Sequence, residues 1–93
     1  MLRFEWTDQA IEKIEQIADY ISLDSPKAAN KWVNAVFNKE EMIKANPSIG
    51  REVPEYKNKL VREIFEGNYR IIYKIDEKKI SVVTIKNFKE QIK

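Results

Sequence analysis

Leu2-Arg3-Phe4-Glu5-Trp6 alternates apolar and charged residues. That two-residue period predicts a half-buried strand with Leu2, Phe4 and Trp6 on one face. The period then changes. Ala10, Ile14, Ile17, Ala18 and Ile21 recur at helical spacing, Ile11 widens the stripe, and Glu12, Lys13, Glu15, Gln16 and Asp19 take the other side. Thr7 stands where an N-cap is needed, and Asp8 suits the positive end of the helix dipole. The pattern predicts a helix over about 7–23. Ser25-Pro26 restarts the chain, with Ser25 as cap and Pro26 at the first helical position, where its missing N–H costs nothing. Ala29, Trp32, Val33, Val36, Phe37 and Ile43 form the apolar stripe of a second helix over about 26–45. Two long helices joined by a few residues form an antiparallel hairpin.

Asn46-Pro47 ends the second helix, because a residue before proline avoids the α region. The stretch from Asn46 to Lys59 holds Pro47, Gly50 and Pro54 and has no periodicity. It is the one long loop, and long loops in compact domains are often functional. Three strands follow, Leu60–Glu66, Tyr69–Ile75 and Ile80–Ile85, divided by turn signals at Gly67-Asn68 and Asp76–Lys79. Short connections make them an antiparallel meander. The expected architecture is α+β, in the order β-α-α-β-β-β, with the helical hairpin on one face of a small antiparallel sheet. The register leaves one question open. A strict two-residue Gly67-Asn68 turn sets Phe65 opposite Arg70 and puts Arg62 with Tyr73. A loop one residue longer puts Arg62 on the face of Arg70.

Composition narrows the chemistry. The chain has 93 residues with no Cys and no His. That length fits one domain, 1–93. Lack of Cys excludes a disulfide framework, a thiolate nucleophile and Cys-based zinc. Lack of His excludes a Ser-His-Asp triad and His-ligated metal. No cofactor or metal is expected, and acid–base work falls to Asp, Glu, Lys, Tyr or Arg. No apolar run is long enough for a transmembrane helix, and no apolar h-region follows Met1, so a cytoplasmic protein without membrane partners is expected. The net charge of +2 is uneven: residues 1–45 carry six Lys/Arg against eight Asp/Glu, and residues 46–93 carry eleven against seven. The second half is the better match for an anionic partner. A solvated lysine-rich surface is the plain alternative.

The run Val61-Arg62-Glu63-Ile64-Phe65-Glu66-Gly67-Asn68-Tyr69-Arg70-Ile71-Ile72-Tyr73 resembles the central signature of the RelE/ParE toxin superfamily. Asp19-Tyr20-Ile21, Asp24-Ser25-Pro26 and Ala28-Ala29 resemble its helical hairpin, and the stretch from Asn46 to Glu55 resembles its loop. The likeness covers nearly the whole chain, with the elements in the same order. It implies the toxin of a type II toxin–antitoxin module, which inhibits growth until a cognate antitoxin wraps and neutralises it in a hetero-oligomer. RelE-like members cut mRNA in the ribosomal A site. ParE-like members inhibit DNA gyrase. Whether the chain is an enzyme depends on that division.

Cleavage by 2′-OH attack needs a base, positive charge for the phosphorane and an acid for the leaving oxygen. Arg70 matches the family's strand arginine, and its planar fork suits phosphate oxygens. Glu55 follows Pro54, as does the general-base glutamate of the YoeB-like branch. The plain alternatives are an ion pair from Arg70 to Glu63 or Glu66, and a solvated loop carboxylate at Glu55. The C-terminal segment Thr84-Ile85-Lys86-Asn87-Phe88-Lys89 departs from the nuclease pattern. It lacks the His-Tyr pair or late tyrosine of nuclease members, and Phe88 cannot donate a proton. A lysine could act through its charge, Lys86 or Lys89 being placed for it, and Lys86 is the catalytic candidate. Arg51, Arg62, Lys74 and Lys89 are candidates for binding RNA or a protein partner. A gyrase inhibitor needs only a complementary surface, so the reading leans to the ParE-like side. The RelE-like nuclease is the alternative. An inactive homologue or an anion-binding module stands behind both.

Overall fold

The computed structural model describes residues 2–88. The elements are β1 (Arg3–Trp6), α1 (Asp8–Ser22), α2 (Pro26–Ala45), β2 (Arg51–Glu52), β3 (Val61–Glu66), β4 (Tyr69–Ile75) and β5 (Lys79–Asn87), with a 3-10 turn at Pro47–Ile49. Both predicted caps form. Thr7 Oγ1 accepts from Ala10 N at 3.2 Å, and Ser25 Oγ accepts from Ala28 N at 3.1 Å. Each satisfies one donor that its helix leaves open. Thr7 also donates to Val82 O at 2.8 Å, tying the start of α1 to β5.

The five strands lie in the order β1-β5-β4-β3-β2. The meander β3-β4-β5 is antiparallel, as its short turns require. β1 pairs with β5 in parallel, Phe4 opposite Ile80 and Trp6 opposite Val82. The sheet is therefore mixed rather than purely antiparallel. No hairpin joins β1 to its neighbour: the chain runs through two helices and the meander before it returns. β2 is a two-residue strand inside the long loop, pairing Arg51 with Glu63 and Glu52 with Arg62.

Both helices pack on one sheet face. Ala10, Ile14, Trp32, Val36 and Ile43 meet Ile71, Tyr73, Ile80, Val82 and Ile85 there. Phe37 is not in this core. It stays 37% exposed and meets Trp6 of the edge strand β1 edge-on at 4.7 Å. The opposite face carries a smaller cluster of Val53, Val61 and Ile72, with Val83 against it. The loop thus covers part of the second face, and the central strand β4 is buried on both sides from Arg70 to Tyr73. Among the described residues no helix is long and apolar enough to cross a membrane.

A buried arginine–glutamate corner as the candidate functional site

The β3–β4 turn decides which arginines meet. Gly67 takes a positive φ of 59° and Asn68 does not, the pattern of a type II′ two-residue turn. Phe65 therefore faces Arg70, Glu63 faces Ile72 and Arg62 faces Tyr73. Arg62 and Arg70 lie on opposite faces, since side chains alternate along a strand.

On the helix-free face, Arg70, Glu63, Glu55 and Arg51 form one network. Arg70 Nη1 and Nη2 each donate to a Glu55 carboxylate oxygen at 2.9 Å, a bidentate fork. Arg70 Nε donates to Glu63 Oε1 at 2.6 Å. Arg51 Nε donates to the other Glu63 oxygen at 2.6 Å. The Glu63 side chain is 0% exposed, that of Arg70 5% and that of Arg51 59%. A buried carboxylate survives only when paired and hydrogen-bonded, and Glu63 holds a cation on each oxygen. The Glu55 hydrogen bonds push the Arg70 guanidinium further up from its ordinary value, burial opposes them, and Glu63 adds to the rise. Arg51 also lies over the Phe65 ring, 5.1 Å from its centroid, and Phe65 meets the exposed Phe88 ring at 5.8 Å.

The other candidates fall in different places. Lys86 is the cross-strand partner of Arg70 on β5, so it joins this corner. Lys74 shares the face but sits opposite Val61, at the far end of β4. Glu66 lies on the other face and pairs with Lys39 at 3.3 Å instead of with Arg70. Arg62 does not belong to the basic face at all. Its Nη1 donates to Gly50 O at 2.8 Å, which makes it a clamp on the loop. Lys89 lies outside the described residues.

Tyr73 completes that clamp. Its buried hydroxyl accepts from Gly50 N at 2.9 Å and donates to Pro47 O at 2.7 Å. Burial pushes the Tyr73 pKa up, against the lowering effects of the Gly50 N–H and the Arg62 charge. A Cβ on Gly50 would lie 2.6 Å from Tyr73 Oη and 2.7 Å from Glu63 O, so the close approach requires glycine. The clamp fixes the loop, and the loop carries Arg51 and Glu55 to the corner.

Glu63 and Tyr73 are the central residues that sequence reasoning left in the background. A signal for Glu63 existed. By alternation it shares a face with Val61 and Phe65, and a carboxylate between two apolar neighbours needs a cation. Chemically, the corner is a paired ion network and not an open acid–base pair. Among the described residues no group of three or more His, Cys, Asp or Glu is arranged to hold a metal ion.

Comparison with curated proteins gives no match. Among solved structures, a chain of the chromosomal ParDE TA system from P. aeruginosa is similar, with a TM-score of 0.76 at 21% identity, covering 94% of this chain and 96% of that one. At that identity the likeness shows the fold. The family model described as the ParE toxin of the type II toxin-antitoxin system, parDE, matches residues 4–92. With that match spanning nearly the whole sequence, and with two helices on one face of a β1-β5-β4-β3-β2 sheet, the chain belongs to the family of ParE toxins.

Proposed function

We propose that this toxin inhibits growth by binding DNA gyrase and does not cut mRNA. Its membership of the ParE toxins makes it the toxin of a type II toxin–antitoxin module, with an antitoxin as its protein partner. The choice of target rests on one observation. Arg70 and Glu55, the cation and base that cleavage would need, hold each other through two 2.9 Å hydrogen bonds. A base must accept the 2′-OH proton, and both Glu55 carboxylate oxygens already accept from Arg70. An arginine with a 5% exposed side chain, shared between two carboxylates, has little positive charge left for a phosphorane. A gyrase inhibitor asks no proton transfer of that pair.

A translation reaction tests the nuclease side. Purified toxin is added to a translating extract, and the mRNA is mapped by primer extension. The expected outcome is intact message. Codon-positioned cuts that disappear in Arg70→Ala would overturn the proposal.

A further inference from the structure

We infer that the Arg70 corner is a carboxylate receptor, closed in the isolated chain by Glu55, and that the antitoxin docks by placing an acidic side chain there in its stead. The inference rests on the toxin–antitoxin assignment and stands whichever target the toxin attacks.

Three features carry it. First, the ligand geometry already exists. Glu55 lies on Arg70 as an external carboxylate would, through a planar fork with both contacts at 2.9 Å. Glu63 fixes the guanidinium from its Nε side, so the fork stays aimed when Glu55 leaves. Second, Glu55 lies past the clamped part of its loop, in a stretch, 54–60, whose residues are all exposed. It follows the two-residue β2, and Lys57 two residues on adopts a φ of 47°, a region that disfavours non-glycine side chains. The Glu55 side chain is 22% exposed where its partner is 5% exposed, so the lid is nearer to solvent than the cation it covers. Third, charge favours an acidic newcomer. With Glu55 withdrawn, the Arg51 and Arg70 cations still flank Glu63, and Lys86 lies across from Arg70 on β5. Thr84 is the next residue along that face of β5, and its buried hydroxyl has no hydrogen-bond partner among the described residues. An entering carboxylate brings an acceptor to that neighbourhood.

A tethered carboxylate competes with an external one. Its removal therefore raises apparent affinity by the inverse of the fraction of molecules in which it is open. Two charge-assisted hydrogen bonds on Arg70 imply a gain of about tenfold or more when Glu55 is removed. The test titrates fluorescein-labelled hexaglutamate, and separately labelled hexathymidylate, into the whole chain by fluorescence anisotropy. The proteins are wild type, Glu55→Ala and Glu55→Ala/Arg70→Lys. Glu55→Ala should bind hexaglutamate about tenfold more tightly, and Arg70→Lys should abolish the gain, since lysine keeps the charge but loses the fork. No gain in Glu55→Ala would overturn the inference. A gain that survives Arg70→Lys would overturn it by showing general surface charge. An equal or larger gain for hexathymidylate would overturn it by showing a phosphate site. Should a variant fail to fold, the wild type decides by NMR. Millimolar hexaglutamate should move the Arg70 Nε–H resonance, and a resonance unmoved at saturation would contradict the exchange.

Discussion

Replacing Glu63 with glutamine keeps the shape of the side chain and removes its charge. The wild-type carboxylate accepts two 2.6 Å bonds, one from Arg51 and one from Arg70. Glutamine offers one acceptor oxygen, and its NH2 group sets a donor against an arginine N–H. Hydrogen bonds to charged groups contribute about 1.5–3 kcal/mol each, so losing one and weakening the other costs about 2–4 kcal/mol. The upper range of about 3–5 kcal/mol for breaking a buried ion pair is not reached, because Glu55 stays on Arg70 and the 59% exposed Arg51 turns to water. The expected loss is about 3 kcal/mol, or about 10–20 °C in Tm for a domain of this size. Urea unfolding followed by far-UV circular dichroism measures it. Glu55→Gln gives the comparison, with a loss of about 1 kcal/mol, because that carboxylate is partly solvated. A loss below 1 kcal/mol for Glu63→Gln, or a larger loss for Glu55→Gln, would refute the view that Glu63 is the centre of the corner.

Further expectations concern the loop clamp and the caps. Tyr73→Phe leaves Gly50 N–H and Pro47 C=O without their buried partner and should cost about 2–3 kcal/mol in the same urea assay. Gly50→Ala should cost more than Tyr73→Phe, and combining the two should recover only part of the loss, since the contact with Glu63 O remains. Because burial raises the Tyr73 pKa, the folded state holds this proton more tightly than the unfolded state. Its contribution is complete below the unfolded pKa of about 10 and is lost as pH rises through the folded value, so alkaline unfolding should be less steep in Tyr73→Phe. Thr7→Ala should cost about 1–2 kcal/mol by thermal melting and Ser25→Ala about 1 kcal/mol, because Thr7 also binds Val82 O.

Helix ends were the most legible part of the fold. Thr7, Ser25-Pro26 and Asn46-Pro47 act within a few residues of themselves, so local sequence carries their meaning. Arg62 was not legible in the same way. Its face depends on one torsion at Gly67, and a one-residue slip would have moved it across the sheet. The loop was less legible still. Its 3-10 turn and β2 are held by Tyr73 and Arg62, residues from a later part of the chain, and no local pattern announces them. Phe37 shows the limit of periodicity, which marks an apolar stripe but not which of its members the rest of the fold covers. Arg70 and Glu55 were visible as residue types suited to phosphate chemistry. Their mutual pairing became visible only once the loop was folded onto the second sheet face.

Gyrase binding is read out by a supercoiling reaction. Purified toxin is incubated with DNA gyrase, relaxed plasmid and ATP, and the topoisomers are resolved by electrophoresis. A gyrase-binding toxin predicts loss of supercoiling that deepens with toxin concentration. Full supercoiling at saturating toxin would contradict it.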